Sequence, residues 1–170
     1  MSTVADVFRE LYDHMEWADA VVWRAVLACP AAESDKVLRD RLRHIHNVQR
    51  AFLSVWRGEA PDFRESFDSL RDVAQWGGEY YAGVRPHLAT VADTALDRIV
   101  VLPWADMLSE VFGRKADPTT LRDTMLQIPM HSIYHRGQVN TRLRELGGDP
   151  PLVDFIAWIW SGKPSAEWPS

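Results

Sequence analysis

His131 and His135, four residues apart, are the side chains whose types and spacing most directly permit chemistry in this chain. On an α-helix that spacing brings both imidazoles to one face, where they can grip a single metal ion. Two imidazoles do not complete a coordination shell. A catalytic site of the zinc type takes three protein ligands and leaves a further position for water or substrate. A third donor must come from another element, and Arg43-His44-Ile45-His46 carries two of the chain's six histidines inside a second strongly periodic segment.

The elements that must position these residues read as helices. Thr3 to Ala28 repeats Val4, Phe8, Leu11, Met15, Ala18, Val22 and Ala25 in steps of four and three, and Cys29-Pro30 stops the pattern. Ser34 is expected to cap a second helix with the stripe Leu38, Leu42, Ile45, Gln49, Phe52 and Trp56, ending at Gly58. A third helix is expected from about Phe67 to His87, although Gly77-Gly78 and Pro86 lower its intrinsic stability. Arg98 to Trp104 is locally strand-like, and Ala105 to Phe112 suits a short helix. Asp117-Pro118, an N-cap followed by proline, should open a fourth helix running to Leu146 before Gly147-Gly148, with a kink at Pro129. Phe155 to Trp160 reads as a short apolar helix capping the end. The expected fold is therefore all-α: one domain over residues 1–170, a four-helix bundle with a long connection between helices three and four and a short C-terminal capping helix. Such bundles commonly build metal sites from side chains on facing helices.

At about 100° per residue, Leu121, Met125, Ile128, His135, Val139 and Leu146 share a narrow arc with His131 at its edge, so both histidines are expected to point inward. On the second helix, His44 stands beside Val37, Val48 and Val55, while His46 shares its side with Arg39, Arg50 and Arg57. The apolar flank is expected to face the bundle. That favours His44 as third ligand and leaves His46 as a surface or supporting group. His14 reads as a packing histidine bonded to solvent or a carbonyl. Arg136 is expected to pair with Asp154 or Glu145, Gly137 to allow close helix packing, and Gln138 to link helices.

Composition narrows the function. The formal net charge is -5, and the densest basic group, Arg39, Arg41, Arg43 and Arg50, reads as a solvated helix face, which argues against nucleic acid as a partner. No apolar run approaches the ~20 residues that span a bilayer, so no membrane role is expected. Asp6, Arg9 and Glu10 interrupt any signal-peptide core, and the single Cys29 excludes an internal disulfide; a cytoplasmic location is expected. Eight tryptophans are many for 170 residues, and most should lie in the core. A chain this long can bury a core without a structural metal, which leaves a bound metal free for chemistry.

Taken together, several motifs make the chain resemble the DinB / YfiT-like family of bacterial metal-binding four-helix bundles. They are Trp17-Ala18-Asp19, then His44-Ile45 with Gln49 and Phe52-Leu53, then His131 and His135-Arg136-Gly137-Gln138, and finally Leu143-Arg144-x-Leu146-Gly147-Gly148-x-Pro150-Pro151-x-x-Asp154. The resemblance spans essentially the whole chain, with little contribution from Phe63 to Asp117. It implies a metal-binding triad of His44, His131 and His135, a zinc or nickel ion as cofactor, and a homodimer. It also implies transfer of a low-molecular-weight thiol, such as bacillithiol or mycothiol, to a small electrophile. The residues themselves leave two other readings open, a metal-dependent hydrolase and a non-enzymatic metal-binding stress module.

Overall fold

The structure is a computed structural model and describes residues 2–169. Four long helices form its body: α1 (Val4–Leu27), α2 (Lys36–Trp56), α3 (Leu70–Thr90) and, after a long connection, the helix that carries the paired histidines. That connection holds a two-residue strand β1 (Ile99–Val100), a short helix α4 (Ala105–Phe112) and a second strand β2 (Thr119–Thr120), which leads directly into α5 (Leu121–Glu145). A last helix, α6 (Phe155–Trp160), follows. Helix α2 packs on α5, α5 on α1, α1 on α3 and α3 on α2, which closes a four-helix bundle. Among the described residues no helix is long and apolar enough to cross a membrane.

Local chemistry sets the helix starts. Thr3 with Asp6, Ser69 with Asp72 and Thr120 with Asp123 each form a reciprocal capping box that satisfies two backbone donors left open in the first turn. Helix α2 is capped by Asp35, whose carboxylate accepts from Leu38 N at 2.7 Å, rather than by Ser34. Helix α5 starts at Leu121 and not at Asp117-Pro118. Ile99 pairs with Thr120 and Val100 with Thr119 in an antiparallel ladder, which holds the chain extended until Thr120 can cap the helix. Pro129 is accommodated inside α5, and Gly147 ends the helix in the left-handed conformation, at φ 81°.

Two apolar clusters fill the bundle. One joins Phe8, Tyr12, Met15, Phe52, Trp56, Tyr80, Val84, Met125 and Ile128; the other joins Val22, Trp23, Leu38, Leu42, Ile45, Val73, Val139 and Leu143. Between them along every long helix lies a buried polar stretch: Asp19 on α1, His46 and Gln49 on α2, Tyr81 on α3, and Ser132 and Arg136 on α5. The tryptophans divide: Trp23, Trp56 and Trp158 are buried, Trp17, Trp76, Trp104 and Trp168 are half-buried, and Trp160 is exposed. Trp168 draws the C-terminal tail across α3, its ring 5.8 Å from Tyr81.

Candidate metal centre

His44 of α2 and His131 and His135 of α5 come together. One ring nitrogen from each lies within 4.8 Å of the others, and the Nε2 atoms of His44 and His131 stand 3.2 Å apart. Two nitrogens bound at about 2.0–2.1 Å to one tetrahedral ion stand about 3.3 Å apart, so this pair already has the spacing of ligands sharing an ion. Gln138, one turn beyond His135, accepts from His135 Nδ1–H at 3.1 Å, which leaves the Nε2 lone pair of that ring free as a donor. His131 Nδ1 is buried and has no hydrogen-bond partner.

The electrostatics favour uncharged rings. Burial lowers the His131 pKa to about 4, with the neighbouring His135 and His44 adding to the effect. Burial and then His135 likewise hold His44 below its ordinary value. Neutral imidazole is the form that ligates metal, so the three rings could hold a metal ion.

The triad lies at the rim of the bundle rather than inside it. His44 is exposed and His131 and His135 are half-buried, whereas the residues following the two α5 histidines, Ser132 and Arg136, are buried. The inward face of α5 thus keeps Leu121, Met125, Ile128 and Val139 of the expected arc but takes in Ser132 and Arg136 where the histidines were expected. The cause is Asp19: its carboxylate accepts from Arg136 Nη1 at 2.6 Å, from Tyr81 OH at 2.6 Å and from Gln49 Nε2 at 2.8 Å. With that partner a guanidinium can be buried, and Arg136 pairs there instead of with Asp154 or Glu145.

His46 departs furthest from expectation. Of the two places left open for it, surface or support to the triad, it takes neither: it is buried, accepting from Trp23 Nε1–H at 2.8 Å and donating through Nδ1 to Gln49 Oε1 at 2.8 Å. It fits there because Gly77 faces it: a Cβ on Gly77 would stand 2.4 Å from His46 Nε2. The donors run in one direction, from Trp23 to His46 to Gln49 to Asp19. Burial pushes the Asp19 carboxyl up, but Arg136, His46, Tyr81 and Gln49 outweigh it and hold the group ionised below its ordinary pKa.

Other assignments resolve locally. His14 donates to Val153 O at 2.9 Å and packs against Phe155 and Trp158, which anchors α6 to α1. Gly137 faces open space, so it makes no close helix approach. The side chain of Gln138 serves His135 on its own helix, while its carbonyl accepts from Arg41 of α2 at 3.1 Å. Arg39, Arg41, Arg43 and Arg50 are half-buried instead of solvated; Arg50 lies 4.6 Å over the Trp76 ring. Sequence reasoning missed the buried polar layer, although Gln49 within an apolar stripe and Asp19 four residues after Met15 were its visible signs.

Beside the triad opens a groove of about 680 Å³ that reaches His44 and His131 and is walled largely by apolar side chains from α2, α4 and the β1–α4 link. Its one carboxylate, Asp123, is engaged by Thr120 N at 2.8 Å and Thr120 Oγ1 at 2.6 Å.

The chain belongs to the DinB family, whose family model matches residues 1–167. No curated protein matches the chain.

Proposed function

We propose, from DinB membership and the geometry of the triad, that this chain is a divalent-metal enzyme, with zinc or nickel held by His44, His131 and His135. Its reaction is transfer of a small thiol, of the bacillithiol or mycothiol type, onto a small electrophile. The observation that carries this reading is the convergence of three imidazoles, two of them held neutral by burial, at the mouth of an open apolar groove. Bound there, a divalent cation supplies Lewis acidity that favours the thiolate over the thiol at neutral pH.

The chain's own residues do the rest. Gln138 fixes the tautomer and ring plane of His135, and the Asp19–Arg136 pair sets the rotation of α5 that places both histidines at the rim. The groove holds the electrophile beside them and keeps water from its apolar part. In the transfer one S–C bond forms. The thiol proton passes to solvent, and the electron pair displaced from the electrophile takes up a proton or departs with a leaving group.

Hydrolysis would need a base to activate water, and the groove offers only Asp123, which already caps α5. The experiment is metal content and activity measured together. One zinc or nickel ion per chain, lost on His44→Ala, His131→Ala or His135→Ala, with thiol-dependent consumption of an electrophile, supports the proposal. Metal-dependent ester cleavage without thiol would replace it with hydrolysis, and metal binding with neither activity would make the chain a binding module. Metal binding lost in His46→Ala but kept in His44→Ala would overturn the ligand assignment.

A further inference from the structure

The groove beside the triad selects by charge and shape. It is formed by Val48 and Phe52 of α2, Leu102 and Trp104 before α4, and Met107 and Leu108 of α4. No lysine or arginine lines it, and its one carboxylate is engaged at the α5 cap. Thr124, a polar group in the wall, donates to Leu121 O and accepts from Trp56 Nε1–H. A charged ligand would therefore lose water and find no free counter-charge, only the neutral polar groups of Thr119, Gln127, His44 and His131, while an apolar one gains from burial.

The wall also favours flat rings. Phe52 and Trp104 meet at 5.0 Å and 65°, an edge-to-face arrangement that presents aromatic surface to a third ring. Helix α4 buries none of its own residues. Met107 is left 63% exposed and Leu108 41% exposed on the groove side, apolar surface that folding does not cover. Methionine is polarizable and unbranched, which suits a wall that must close on a variable ligand.

The geometry points to a neutral, largely aromatic small molecule as the groove's occupant, within reach of His44 and His131; resting on the transfer reading above, this is the class of electrophile the protein takes. The volume is in the range that encloses a drug-sized ligand.

The test uses two non-reactive fluorescent probes on the metal-free protein. N-phenyl-1-naphthylamine is neutral, and 1-anilinonaphthalene-8-sulfonate is its anionic sulfonate. The neutral probe should bind tighter by at least about tenfold, since a sulfonate in this groove has no counter-charge. Met107→Glu, at an exposed position where folding is undisturbed, should weaken the neutral probe by about tenfold, and Met107→Lys should shift preference toward the sulfonate. Zinc titration of the same variants should be unchanged, which separates failure of the groove from failure of the metal site.

Equal binding of the two probes would overturn the inference. So would neutral-probe binding that ignores both Met107 variants. If Met107→Glu leaves probe binding intact and instead converts a dimer to a monomer in sedimentation, the groove's occupant is a second copy of the chain and the inference fails.

Discussion

Ser132 and Arg136 of α5 are buried and join a polar layer in which Asp19, Gln49, Tyr81, His46 and Trp23 answer one another's hydrogen bonds, with Arg136 Nε left without a partner. His131 and His135, each one residue earlier on the same helix, are half-exposed and meet His44, with His131 Nδ1 left unpartnered. The two groups are neighbours built on the same helix pair, yet their needs differ. The inner layer supplies its own counter-charges and locks the rotation of four helices. The outer triad leaves ring nitrogens unanswered, His131 Nδ1 among them, so it gains most from a ligand that comes from outside. Stability should therefore reside in the inner layer and metal affinity in the outer one.

The sharpest way to break this contrast is Asp19→Ala. It leaves the Arg136 guanidinium buried without its counter-ion and should cost about 3–5 kcal/mol of unfolding free energy. Urea or guanidinium titration reads the loss. A change below about 1 kcal/mol would show the inner layer to be no more than ordinary hydrogen bonding.

That layer is also what the sequence concealed. Apolar periodicity revealed the four long helices and the strand-like and helical pieces of the connection, because burial of Leu, Val and Phe follows the 3.6-residue repeat. It paired Arg136 with Asp154 or Glu145 and left Ser132 out of the inward arc, because a helical wheel scores a residue's own polarity and cannot see a carboxylate 117 positions away that makes burial tolerable. The same blindness left the surface open as a place for His46, which is buried. The two histidines come together by their spacing, which depends on one helix alone. The start of α5 was misread because its cap depends on the pairing of Thr119 and Thr120 with Val100 and Ile99. The Trp168 strap has no local signature.

A smaller effect should come from Gln138→Ala. The Gln138 side chain hydrogen-bonds within its own helix, its Oε1 holding His135 Nδ1–H. Loss of that contact should weaken zinc affinity by about 10–100-fold, the usual range for a partner behind a ligand. Competitive titration measures it, and denaturation of the metal-free variant should show little change. A large stability loss with affinity intact would assign Gln138 to the inner layer instead.

Acid should sharpen the comparison. Burial holds His14, His44, His46, His87 and His131 below the ordinary value of 6.5, His131 at about 4. As pH falls through about 6.5 the unfolded chain takes up protons that the folded chain refuses, so stability is whole above that pH and declines toward pH 4. The denaturant midpoint of the metal-free protein should therefore fall across this window, ahead of most carboxylate protonation. His131→Ala should remove part of the slope, and a profile flat from pH 7 to 4.5 would contradict the burial of these rings.

The smallest expected effect has the opposite sign and separates two glycines. Gly137 lies on the exposed face of α5, and a Cβ added there meets nothing within 4 Å. Alanine at such a helix position reduces the backbone entropy lost on folding, so Gly137→Ala should stabilise the protein by about 0.5–1 kcal/mol. Gly77 is also helical but faces the inner layer, where a Cβ would meet three atoms of the His46 ring at 2.4–2.7 Å. His46 cannot give way without releasing Trp23 and Gln49. Gly77→Ala should therefore destabilise, and the two variants measured side by side in one denaturant series differ in sign. If Gly137→Ala also destabilises, its face is covered in solution by another molecule, and a lower sedimenting mass for that variant would identify a second copy of the chain.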